Sequence, residues 1–145
     1  MEAFFTGLDI YAHEGRYVEL FGVHGAYLNS DIPEDKFILL NFEGRFVDIM
    51  CELNPKHKKN VSVENVLKVL YLRLLKALYG FMESALLWCD LYSNTLKSQG
   101  FLINPYYMYV VNSTIKDNQC KISWNVDENK VSQVNEEVNT KWLKQ

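Results

Sequence analysis

The chain's apolar positions keep two different rhythms, and these divide it into elements. "RYVELFGVHGAYLN" is rich in β-branched and aromatic residues and is interrupted at Gly22 and Gly25, which predicts a strand entering a turn or short helix. "DKFILLNF" reads as a second strand. In "GRFVDIMCELNP" the apolar positions Phe46, Ile49, Met50 and Leu53 recur at helical spacing and Pro55 marks the end. "VLKVLYLRLLKALYG" divides: its first half alternates as a strand does, its second half is rich in helix formers, and Gly80 closes it. "MESALLWCDLYSNTLKSQG" gives the clearest helix, with Ala85, Trp88, Leu91, Tyr92, Thr95 and Leu96 on one face and Gly100 at the C-terminal cap. After Pro105, "YYMYVVN" and "CKISWNV" read as two strands of a hairpin joined by "STIKDNQ", and "NEEVNTKWLKQ" could begin a last helix. The order predicts an α+β fold, helices packed on one face of a mainly antiparallel sheet. In such a layout a strand ending near Gly22 can be brought beside the turn at Asp127–Glu128.

Composition narrows the class. At 145 residues, 48% of them hydrophobic, the chain has the make-up of one globular domain or part of one rather than of a disordered segment. A net charge of −3 provides no global field for nucleic acid, so polyanion binding would need a local patch. "NPKHKKN" is a local basic cluster that could contact phosphates, but a solvated loop after a helix is the better reading. Cys51, Cys89 and Cys120 are odd in number and lack metal-ligand spacing, which points to a reduced, intracellular protein (cytoplasmic or nuclear) with no disulfide partner. No run reaches the ~20 apolar residues a membrane helix needs, and the N-terminus lacks a basic leader, so no membrane partner is expected. His13, His24 and His57 are scattered and read as surface or turn residues. Trp88, Leu91 and Tyr92 read as core. The pair Asp127–Glu128, beside Asn125, is by itself what a tight turn would use.

Four blocks taken together change that last reading. "VHGAYLNSDIPEDK", "LLKALYGFMESALLWCDLYS", "SQGFLINPYY" and "WNVDENKVSQV", in this order and spacing, resemble the reverse transcriptase of copia-type retrotransposons, the RNA-directed DNA polymerase region of the Pol polyprotein. The likeness runs from about Ala12 to Val134, and "KALYG…SALLW" is its most specific part. It implies a polymerase palm with some of the fingers, spanning 1–145 as a single partial domain, with thumb, RNase H and integrase absent. It also implies a reaction, templated addition of deoxynucleotides (dNTP) to a primer on a nucleic-acid template. Two Mg²⁺ ions roughly 3.5–4 Å apart would clamp the attacking and leaving oxygens, held by hard carboxylate oxygens.

Carried over residue by residue, the resemblance assigns the acidic pair to Asp127 and Glu128 and nucleotide-binding positions to Ala26, Tyr27 and Gly80. Tyr27 would be the ring that rejects a 2′-hydroxyl. The family's first carboxylate directly precedes "VxGAYL", and that place is Gly22 here. Glycine provides no ligand, and losing one shared by two divalent ions removes several kcal/mol of transition-state stabilisation. At about 1.4 kcal/mol per tenfold, the rate falls on the order of a thousandfold or more. Glu128 adds a methylene to the second member of the pair, and Asn125 replaces the aromatic residue ahead of it. Tyr11, Tyr17 and Tyr107 also stand where related blocks carry Asp, which looks like unselected decay. The expectation is a degenerate, inactive copy whose Mg²⁺ is not held productively. The alternatives are a non-catalytic nucleic-acid-binding or co-opted interaction module and, third, residual templated synthesis. Surfaces meant to meet missing parts would be exposed, favouring poor solubility.

Overall fold

In the computed structural model, residues 2–136 are described, and the expected tail helix falls largely outside them. The first strand predicted from the pattern is β1 (Tyr17–Gly22), followed by a single 3-10 turn at Ala26–Asn29. Ahead of it lies a helix the pattern did not announce, α1 (Glu2–His13). Next come β2 (Leu39–Glu43), α2 (Arg45–Leu53), β3 (Ser62–Glu64) and β4 (Leu67–Arg73). The long helix α3 (Ser84–Ser98) follows, and β5 (Leu102–Ile103), β6 (Val110–Ile115), β7 (Asn118–Asn125) and β8 (Glu128–Gln133) complete the described chain. α2 stops one residue short of Pro55, where the missing N–H would break a continuing helix. Gly100 closes α3 at φ 89°, its N–H bonded to Lys97 O while Phe101 N–H reaches back to Leu96 O.

The protein is a mixed α+β structure built on two antiparallel sheets rather than one. The larger has the order β1-β8-β7-β6-β5 and the smaller β2-β4-β3. α3 covers one face of the larger sheet: Cys89 and Leu96 meet Val111, Cys120, Ile122, Trp124 and Val131, and Phe101 seals the end. Helices are not confined to that face. Lys121 and Lys130 alternate with the buried Cys120, Ile122 and Val131, and both approach the ring of Tyr11 at the end of α1, on the opposite side. A second core of Val47, Cys51 and Leu70 joins α2 to the smaller sheet.

Three sequence expectations need correction. The second half of "VLKVLYLRLLKALYG" forms no helix. It runs extended beside residues 30–32, with Ile32 N–H bonded to Leu75 O, Ala77 N–H to Ser30 O, and Lys76 paired with Asp31 at 2.7 Å. Leu74 and Ala77 are buried there, and partners for their backbone are already provided. The buried stripe of α3 is also turned from the expected one. Trp88 and Leu96 are buried and Tyr92 is half-buried, but Ala85, Leu91 and Thr95 face outward and Ser84, Cys89 and Ser93 face in. Close approach of a helix to a sheet selects small side chains over the most apolar ones. The hairpin turn is tighter than expected too: Lys116 and Asp117, both at positive φ, join β6 to β7, and Tyr106–Tyr109 precede the strand.

Candidate functional site

At one end of the larger sheet, β1 pairs antiparallel with β8 so that Gly22 lies opposite Glu128. Val23 N–H then donates to Asp127 O at 2.8 Å. Gly22, Asp127 and Glu128, far apart in sequence, thus share one corner. A Cβ built on Gly22 would meet only Asp127 O, at 3.9 Å, and Gly22 has no positive φ, so a side chain fits there without strain.

The turn at Val126–Asp127 links β7 to β8, and Asn125 pairs with Glu128 across it. Val126 takes φ 56°, a left-handed conformation that a β-branched residue adopts at a cost. Three elements hold it. Trp88 of α3 donates its indole N–H to Val126 O at 2.5 Å, Val23 binds Asp127 O, and Asn129 Nδ2 donates to the same carbonyl at 3.0 Å. The indole is itself fixed, stacked on Tyr92 at 5.0 Å between centroids. Trp88 was expected only as core, but an indole that buries its rings still needs a partner for its N–H, and here that partner is the turn.

Tyr27 enters the same corner from the 3-10 turn. With Trp88, Tyr109, Asn125 and Val126 it lines a small cleft of about 260 Å³, and its ring lies 4.5 Å from that of Tyr79. Ala26 is wholly buried beneath it. Gly80, at φ 88°, follows Tyr79 and has open space where a Cβ would project. It does not line the cleft and is linked to it only by the contact of Tyr79 with Tyr27.

The donor set differs from the one a pair of Mg²⁺ ions requires. Asp127 and Glu128 provide two carboxylates, position 22 provides none, and the Asp127 carbonyl is engaged by two N–H groups. Among the described residues no three His, Cys, Asp or Glu side chains come together. Cys51, Cys89 and Cys120 are buried free thiols. Burial pushes the Cys89 and Cys120 thiols up, Cys120 to about 11, which makes them poor nucleophiles. The basic run Pro55–Asn60 forms a 3-10 stretch after α2, its lysines exposed. Among the described residues no helix is long and apolar enough to cross a membrane. No family model matches the chain, and neither do the curated proteins or the solved structures compared with it.

Proposed function

We propose that this chain is a decayed piece of a copia-type reverse transcriptase palm whose polymerase chemistry went with the carboxylate that Gly22 replaces. The observation that carries the reading is the pairing of Gly22 with Glu128. Two blocks identified separately by resemblance meet at one sheet corner, in the relation a shared metal site demands. Trp88, from the "SALLW" block, adds a third block through its bond to Val126 O, and Tyr27 of the first block opens onto the same turn. The Tyr11 ring supports decay: it stands where related blocks carry an Asp, and its neighbours Arg16, Lys121 and Lys130, at 5.8, 5.4 and 5.0 Å, make a cationic setting that suits a carboxylate. With two carboxylates and no third, Mg²⁺ is not held productively, and neither template-primer nor dNTP is turned over.

The test has two parts. The chain is expected to give no Mg²⁺-dependent primer extension, and extension at the rate of an intact polymerase would overturn the reading. The combined variant Gly22→Asp, Asn125→Tyr, Glu128→Asp crowds three carboxylates into one corner. Their mutual repulsion is relieved by a divalent cation. Calorimetric titration is expected to show Mg²⁺ binding at least tenfold tighter than in the parent, and equal binding would mean the corner is an ordinary turn.

A further inference from the structure

α2 presents an apolar flank to water. Its apolar positions at helical spacing, Phe46, Ile49, Met50 and Leu53, are what an amphipathic helix places against a core. The core contact is made instead by Val47 and Cys51, with Met50 half-buried at its margin. Phe46, Ile49 and Leu53 are 66%, 41% and 75% exposed. At 3.6 residues per turn these three lie within roughly 60° of one another, on nearly the opposite side of the helix from the buried pair. Single exposed apolar residues are ordinary, but three in one stripe make a continuous patch of the kind found at interaction surfaces.

Charge selects the partner. Arg45 and Glu52, both exposed, border the stripe on the same side, Arg45 in the first turn of α2 and Glu52 in the last. The ion pairs among the described residues engage neither, whereas Asp48, further round the helix, is paired with Lys68 at 2.6 Å. A second α2 laid antiparallel across a two-fold axis brings the same border of each helix together. That operation sets Phe46 against Leu53 of the copy, Ile49 near its own equivalent, and Arg45 beside Glu52 of the copy, twice over. The apolar and the charged exchanges centre one residue apart, ~1.5 Å of helix rise, which the length of an arginine spans. Antiparallel helices also set opposite dipole ends side by side. A parallel pair would put the two charged borders on opposite sides and leave both charges without partners.

We infer that the stripe of Phe46, Ile49 and Leu53 is a self-complementary interface at which two copies of this chain pack α2 against α2, antiparallel. Each copy contributes a single helix of 9 residues, the low end of specific interfaces, so the dimer forms at high concentration. The inference uses no residue of the Gly22 corner and does not depend on the polymerase reading.

Sedimentation equilibrium of the full chain from about 10 µM to about 1 mM tests it, and a monomer–dimer equilibrium is expected. Ile49→Glu, at an exposed position beside the two-fold axis, brings two carboxylates together and is expected to weaken the dimer at least tenfold. Arg45→Glu and Glu52→Arg each set like charges across the interface, and each alone is expected to weaken self-association about threefold. An equimolar mixture of those two variants is expected to regain the parental association, because every contact between positions 45 and 52 then joins opposite charges. Lys97→Glu on α3 is expected to change nothing. A chain that stays monomeric throughout would overturn the assignment and leave the stripe to a different partner. Association that Ile49→Glu leaves unchanged, or a mixture no tighter than its separate components, would overturn it equally.

Discussion

Val126 is a β-branched residue at φ 56°, and the hydrogen bond from Trp88 holds it there. Two substitutions separate the strain from the restraint. Val126→Asn puts a residue that tolerates the left-handed region at the same point and is expected to raise stability by about 1 kcal/mol. The check is a higher urea midpoint with unchanged slope. Trp88→Phe keeps most of the ring packing but leaves Val126 O without its donor, a loss of about 1–3 kcal/mol in the same measurement. If Trp88→Phe costs nothing, the turn is held by its strand partners alone. At this scale the sequence was informative about which residues meet and silent about what holds them. Gly22 and Glu128 could be paired from the order of blocks, because each sits at a strand end. Trp88 could not be assigned to the turn, since its apolar rings satisfy a helical stripe whatever its N–H does.

Alternation and breakers made most elements legible: β1, α2 and α3 lie where spacing, Pro55 and Gly100 put them. What failed were choices that depend on a partner. Residues 74–80 carry helix-forming side chains, yet 75–77 pair with residues 30–32, which no local window contains. The inward face of α3 is set by the sheet it packs on, where Cys89 joins Cys120, Ile122 and Trp124 in one core. The meeting of Lys121 and Lys130 at Tyr11 was invisible for the same reason, since the two lysines become neighbours only through strand register. The packing of α3 on β7 also has a pH signature. Burial pushes Cys120 up to about 11 and Tyr92 up to about 12, so the folded state keeps both protonated longer than the unfolded chain does. Their contribution is complete below the unfolded thiol value and is lost as pH rises through the folded values, a window from about pH 9 to about 12. Lys130 acts in the opposite sense, because its lowered value favours folding at high pH and offsets part of the loss. Denaturation midpoints are expected to fall across this window. In Cys120→Ala the fall between about pH 9 and 11 is expected to be shallower, and an unchanged profile would mean the thiol is not the titrating group.

Across the whole molecule, stability is divided unevenly. Among the described residues the larger sheet rests on eight buried core residues and has β7 paired on both sides; the smaller rests on three, and all of β3 is exposed. The two are joined by short segments, chiefly the pairing of residues 30–32 with 75–77 and the Lys36–Glu83 ion pair. An exposed ion pair of this kind adds little to stability. Many large apolar side chains also stand in solvent, Phe37, Phe46, Leu53 and Met82 among them, so the weaker half exposes further apolar surface when it opens. Regions with few buried contacts open below the global unfolding free energy. Native-state hydrogen exchange in low urea is therefore expected to release β2 and β4 amides while those of β7 and β8 remain protected. Leu70→Ala distinguishes this from a single cooperative unit. Leu70 is fully buried in the smaller core, and removing its side chain costs about 2–5 kcal/mol. If the sheets open separately, that loss appears in the β4 amides and leaves β7 unchanged. If both sets fall together, the short joining segments bind the two sheets into one unit, and a lesion in the small core destabilises the corner at Gly22 as well.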